Sequence, residues 1–286
     1  MEKRMDEPTI LLADSWEDYK KITNDMSENW VFRGQLNPDW ELRNALERTR
    51  FIRIQKGIEL AFLREFQRGA RNYLNRDETP EHVLEWLALM QHHGAPTRLV
   101  DFSKSPFISA YFAFEQCFNS LDRVAIWAIN IYQIKKAAGD ILSKLFPEEW
   151  EKANGHISGE IFEKIFYQDD LSLVFPVEPF RMNKRYSLQQ SIFVSSGNST
   201  APFMEQLKFL GNEVFRSVIR IEIPVEEQRT AIRDLLKMNI HRASLFPDLE
   251  GYALSLKMKY EHMKTAEEAL EDQIRMMNSS RFNFFE

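Results

Sequence analysis

The sequence predicts an α+β fold: a mixed central sheet flanked by helices, with a helical insertion and a long C-terminal helix. Three observations lead there. Apolar residues recur at helical spacing in several separate segments, other apolar residues form continuous or alternating runs of strand type, and the two kinds do not follow each other in regular βαβ order. The chain has 286 residues, 44% of them hydrophobic, enough for one large core or two smaller ones. It shows no internal repeat and no low-complexity tract; one domain over residues 1–286 is the organisation expected.

The elements follow in order. Ser15 with Asp18 three residues on has the form of a capping box, with Asp in place of Glu, and opens a short helix over Trp16 to Thr23. Trp30-Val31-Phe32 reads as a strand ending at Arg33-Gly34. From Gly57 to Tyr73, residues Ile58, Phe62, Phe66, Ala70 and Tyr73 recur at helical spacing. Pro80 fits the first turn of the next helix, which runs through Val83, Leu84, Leu87 and Met90. His93-Gly94-Ala95-Pro96 breaks it. Pro106 starts another helix to Phe118, with Ser105 as its N-cap. Val124 to Ile129 is a continuous apolar run and predicts a buried central strand. Residues 134–168 read as a helical insertion between strands. Ser191 to Ser195 is a further strand. Arg216 to Ile223 alternates strictly, so one face should meet water, and Pro224 ends it. Glu226 to Met238 and Gly251 to Met277 read as helices, the latter with Leu256, Tyr260, Met263, Leu270, Ile274 and Met277 on its apolar side. The stretch Arg281 to Glu286 holds three Phe. Such a segment is expected to dock, in cis or across a homodimer, because aromatics are costly to leave in water.

Composition narrows the function. The net charge of −6 does not indicate generic nucleic-acid affinity. Residues 41–76 depart from that balance, with nine Lys/Arg and four acids. They form either a solvated helical face or a patch for a phosphate-bearing ligand. There is no apolar run of about 18 residues, and the charged start is not followed by an apolar stretch. No membrane association is expected, and the location expected is cytoplasmic. Cys117 is the single cysteine; its apolar surroundings mark it as a small core residue rather than a nucleophile.

Three phrases place charged or polar groups beside Gly, Pro or aromatics: Val31 to Gln35, Gln91 to Phe102, and Leu245 to Gly251. Such segments, read as loops, suit one shared site better than three structural needs. Arg33 offers a planar, permanently charged fork suited to phosphate or carboxylate; alternatively it pairs with Asp101 or Asp248. Gly34 would let a ligand approach the backbone. In the second phrase, His93, Thr97, Arg98 and Asp101 are candidate ligand-binding residues, with an internal Arg98–Asp101 ion pair as the alternative. Ser103 and Ser105 precede a helix N-terminus, which is both a capping position and an anion site. Asp248 and Glu250 either cap the following helix or supply a base or charge stabiliser. Gln190, before the strand to Ser195, is either a ligand contact or an edge residue. No cluster of His, Cys and Asp has metal-ligand spacing, so no metal is expected. No Gly-x-Gly-x-x-Gly or Gly-x-x-x-x-Gly-Lys is present, which argues against Rossmann or P-loop nucleotide use.

The three phrases in this order resemble the FRG family, named for a Phe/Tyr-Arg-Gly motif, here Phe32-Arg33-Gly34. The resemblance runs from about Ser15 to Leu256. The family's pattern usually has Asp where this chain has Glu250. The resemblance implies a bacterial or phage product with a role in defence or toxicity. A weaker similarity is to arginine-type ADP-ribosyltransferases, which carry an early Arg, a Ser motif and a late carboxylate; Arg33, Ser103 or Ser105, and Glu250 occur in that order. It implies NAD or another nucleotide as substrate, with Arg33 on the phosphates, Ser on the nicotinamide ribose side and Glu250 stabilising an oxocarbenium-like transition state. The acceptor, protein or nucleic acid, stays open. So does a non-catalytic module that binds an anionic or phosphorylated ligand.

Overall fold

The computed structural model describes residues 7–49, 56–75, 79–115, 117, 122–157, 159–180 and 184–262. The expected helix beyond His262 and the Phe-rich segment 281–286 lie outside them. The fold is α+β. Seven strands form one mixed sheet, β1 (Thr9–Leu12), β2 (Trp30–Gln35), β3 (Leu99–Ser103), β4 (Arg123–Asn130), β5 (Val174–Val177), β6 (Ser191–Ser196) and β7 (Val218–Pro224), in the order β1-β7-β4-β2-β3-β6-β5. Among the described residues only β1 and β7 pair in parallel; the other pairs are antiparallel. Among the described residues no helix is long and apolar enough to cross a membrane.

β4 is the buried strand its composition predicts, with residues 124–129 all at most 1% exposed. Its alternate residues serve opposite faces. Val124, Ile126 and Ala128 pack with Trp16, Tyr19 and the apolar side of α5 (Pro106–Phe114), while Trp127 and Ile129 pack with Phe203, Leu207 and Phe215. A sheet covered on both faces needs such a continuous run. A further cluster joins α3 (Ile58–Ala70), α4 (Val83–His92) and the inserted helices α6 (Ile131–Leu145), α7 (Pro147–Lys152) and α8 (Gly159–Gln168). The helical insertion thus coincides with three helices.

Local chemistry sets the ends. Ser15 Oγ caps α1 (Trp16–Asn24) by accepting from Asp18 N at 3.2 Å. The carboxylate of Asp18 accepts from Asp14 N at 3.1 Å, so the box is closed one residue earlier than the motif with Glu would close it. α4 starts at Val83, not in the turn of Pro80, because Glu85 accepts from Glu81 N and His82 N and fixes the start there. Ser105 Oγ caps α5 by accepting from Ile108 N, and that helix ends at Phe114, before the expected Phe118.

The alternation in β7 does not produce a wet face. Arg220 and Glu222 share a face but pair at 2.7 Å, and Arg220 lies over the Trp127 ring. Glu222 is buried. Arg216 ends the short helix α11 (Asn212–Arg216) instead of starting the strand. After β7 the chain makes one 3₁₀ turn at Val225–Glu227 and then α12 (Gln228–Lys237). The remaining helices are α2 (Ala45–Arg48), α9 (Lys184–Leu188), α10 (Phe203–Phe209), α13 (Arg242–Leu245) and α14 (Leu249–His262).

Candidate functional site

The site begins where two strands part. β2 pairs with β4 along its whole length, and β3 pairs likewise with β6. Between β2 and β3 only Phe32 and Ser103 are in register. Beyond that bridge the ladder stops, and a side chain takes its place: Nη1 of Arg33 donates to the carbonyl oxygen of Asp101 at 2.8 Å. The same nitrogen lies 4.0 Å from the Asp101 carboxylate. Arg33 and Asp101 are therefore strand residues, not loop residues, and each is held by a ladder on its far side.

A cavity of about 260 Å³ lies at this parting. Arg33 and Gly34 of β2, Asp101 and Ser103 of β3, Gln91 and His92 of α4, Ser109 and Phe112 of α5, Arg185 and Tyr186 of α9, and Gln189 line it. Gly34 is required by packing. A Cβ there would stand 1.9 Å from Ser109 O and 2.7 Å from Ala113 N, so glycine is what lets α5 lie against β2.

The cavity is basic and short of partners. Nε of Arg33, Nε of Arg185 and Nδ1 of His92 are buried and, among the described residues, have no hydrogen-bond partner. Burial lowers the pKa of Arg33; Asp101 opposes this and Arg48 adds to it. Burial likewise lowers Arg185, with Asp101 and Asp248 among the groups that oppose it. His92 is pushed below its ordinary value by burial, Arg185 and His93, against the pull of Asp248. A group that took one or more negative charges would relieve all three. Among the described residues Asp101 is the one carboxylate in the lining; its Oδ2 accepts from Gln91 Nε2 at 2.5 Å.

The third phrase supports the cavity from behind. Gln189 Nε2 donates to Leu245 O at 3.1 Å. The Phe246 ring carries the guanidinium of Arg185 at 4.3 Å and that of Arg242 at 3.9 Å, and meets Phe112 edge-on. Arg242 is held in turn by Glu115, at 2.8 Å. Asp248 Oδ1 accepts from Gly251 N at 2.6 Å, capping α14. Gly251 has no room for a Cβ, which would fall 2.1 Å from Phe246 O.

Of the residues expected from sequence, Arg33, Gly34, Asp101 and Ser103 meet at the cavity, and Asp248 lies within electrostatic reach of His92 and Arg185. The others lie elsewhere. Arg98 is 2% exposed and pairs with Glu59 at 2.5 Å and Asp169 at 3.0 Å, not with Asp101. Thr97 is buried and its hydroxyl donates to Gln91. His93 is exposed at the C-cap of α4, and its neighbour His92 faces the cavity instead. Ser105 is engaged as the cap of α5. Gln190 is exposed, with a positive φ of 49°, while Gln189 lines the cavity. Glu250 is exposed in the first turn of α14 and is not part of the lining. Sequence reasoning missed His92, Arg185 and Tyr186. The signal for the last two was a cation beside an aromatic just before Gln189-Gln190. Cys117 is half-buried, and burial raises its pKa, away from a thiolate.

A charged cavity thus lies in an α+β domain where the aromatic-Arg-Gly strand β2 parts from β3. The family model described as FRG domain matches residues 28–120: an FRG domain is present in this chain. The matched segment contains β2, β3, α4 and α5, hence Arg33, His92, Asp101 and Ser103. Arg185, Gln189 and the third phrase lie outside it. No curated protein and no solved structure matches the chain.

Proposed function

We propose that the FRG domain binds a phosphate-bearing nucleotide in the cavity between β2 and β3 and acts on its glycosidic bond, by cleavage or by transfer of ADP-ribose from NAD. The observation that carries the binding is the trio Arg33, Arg185 and His92, which line one cavity with buried nitrogens lacking partners. Guanidinium forks suit phosphate oxygens, and a helix-borne imidazole can add a donor or a charge. For the chemistry, Asp101 is the candidate that could stabilise positive charge developing at a sugar carbon, since Glu250 is not in the lining. Ser103 lines the same cavity, although its hydroxyl already donates to Gln189 O at 2.8 Å. Consumption of a cellular nucleotide pool would give such a protein a role in bacterial or phage defence or toxicity.

A second reading is a non-catalytic module for an anionic ligand. It is favoured by the engagement of Ser105 in a helix cap and by the single carboxylate in the cavity. One experiment separates the two. The protein and its Asp101→Asn variant are incubated with NAD, nicotinamide release is followed, and NAD binding is measured by calorimetry. Release by the native protein that Asp101→Asn abolishes, with binding retained, supports the enzyme. Binding without release supports the module. Absence of binding in both proteins rejects the nucleotide site.

A further inference from the structure

The cavity does not end at Arg33. A second hollow of about 190 Å³ shares Arg33, Gln91 and Asp101 with it and adds Arg43 and Arg48. A third, of about 590 Å³, shares Arg43 and Arg48 with the second and is open beside Trp40. Shared lining residues place these three spaces side by side, from the strand parting to the surface of the segment before α2. Arg48 is close enough to Arg33 to depress its pKa.

Charge changes along that series. The middle hollow holds Arg33, Arg43 and Arg48 against Asp101, a cationic stretch. Among the described residues Arg48 has no ion-pair partner, and Arg43 is held only by exposed Glu41 at 2.9 Å, an exchangeable surface pair. The outer hollow is different in kind. Trp40 is 54% exposed there, and Asp39 and Glu41 stand beside it. An exposed indole beside carboxylate acceptors offers a stacking face and partners for the amino group of a base. Within the basic stretch of residues 41–76, Arg43 and Arg48 line these hollows, while Arg68 faces solvent and pairs with Glu65.

We propose that Trp40, Arg43 and Arg48 form a second subsite that takes the base and diphosphate of a nucleoside diphosphate. The base lies on Trp40 with its amino edge toward Asp39 and Glu41. The diphosphate passes over Arg48 and Arg43, its distal phosphate reaches Arg33 and Arg185 in the cavity, and whatever group that phosphate carries lies beside them. This rests on the nucleotide reading of that cavity and extends it.

The test compares ADP with inorganic pyrophosphate, which lacks a base, by calorimetry on the full chain. The native protein should bind ADP more tightly than pyrophosphate. Trp40→Ala should weaken ADP about tenfold or more and leave pyrophosphate unchanged, and Trp40→Phe should restore most of the loss. Arg48→Ala should weaken both probes. Since Trp40 is exposed, an unchanged melting temperature confirms that the variants fold. Equal ADP affinity in Trp40→Ala and native protein overturns the subsite; if Arg185→Ala still weakens ADP, the cavity reading stands without it. A native protein that binds neither probe overturns both.

Discussion

Nη1 of Arg33 bonds the main-chain carbonyl of Asp101 at 2.8 Å, spanning the gap that β2 and β3 leave beyond their one bridge. A side chain here completes a sheet, and the same side chain lines the cavity that the incomplete sheet creates. Structural and ligand roles for Arg33 are therefore not alternatives, and variants at this position must be read for both.

Arg33→Lys keeps the charge but loses the planar fork. Lysine can still reach one acceptor, so the fold should survive with a melting temperature lower by a few degrees. Affinity for a phosphate ligand should fall by roughly tenfold or more, since hydrogen bonds to charged groups contribute about 1.5–3 kcal/mol. Unchanged affinity in calorimetry would remove Arg33 from direct ligand contact.

Gly34→Ala should damage stability whatever the ligand. The new methyl meets main-chain atoms of α5, which cannot rotate away. Over-packing costs typically about 1–3 kcal/mol, and a contact of 1.9 Å with a carbonyl oxygen puts this variant at the upper end or beyond. Urea denaturation measures it; a native-like midpoint would mean that α5 shifts freely over β2.

Arg98→Ala should act on stability and not on affinity. It leaves Glu59 and Asp169 buried without their cation, a change that costs about 3–5 kcal/mol. The Phe166 ring, 4.6 Å from the guanidinium, would lose its partner too. If the folded fraction instead bound phosphate ligands much more weakly than native protein, Arg98 would belong to the site after all.

His92 should give the fold a pH dependence of definite sign. Its folded pKa lies below the ordinary 6.5, with burial as the main cause. The unfolded chain therefore takes up its proton first. Stability should be full above about pH 6.5 and decline as pH falls from there to the depressed folded value. A bound anion favours the imidazolium, so phosphate affinity should rise over the same interval. His92→Gln should flatten both slopes relative to native protein. Parallel curves for the two proteins would show that His92 contributes neither.

Much of the sheet could be read directly from sequence, because β4 carries an uninterrupted apolar run and β2 ends in a recognisable motif. β3 was hidden. Its Asp101 interrupts Leu99-Val100 and Phe102, and the Gly94-Pro96 turn before it reads as a loop. The acid is accommodated there because its side chain lines the cavity and stays 43% exposed, a fact of tertiary structure. Arg98 illustrates the same limit. Its partner Glu59 lies in the first turn of α3, where an acid is ordinary for an isolated helix, and nothing local marks it as buried. Arg185 was missed because α9 is one short turn whose role depends on Phe246, far along the chain. The third phrase was recognised as significant, yet it positions the aromatic that carries Arg185 and does not itself line the cavity.

The parallel pairing of β1 with β7 has a consequence for the order of assembly. Thr9 lies opposite Ile219, and Trp16 N donates to the Glu227 carboxylate 211 residues away. β1 is the first strand to be synthesised and β7 the last of the seven. Contacts of such separation form slowly, because the intervening chain must be closed before they give any return. Until β7 has been made, Thr9–Leu12 has no strand to pair with, and a sheet of β2, β3 and β4 would present β4 as its open edge. The sheet closes that side only after the ribosome has delivered β7, so the β4 edge, the most apolar strand of the sheet, needs cover from other chains until then.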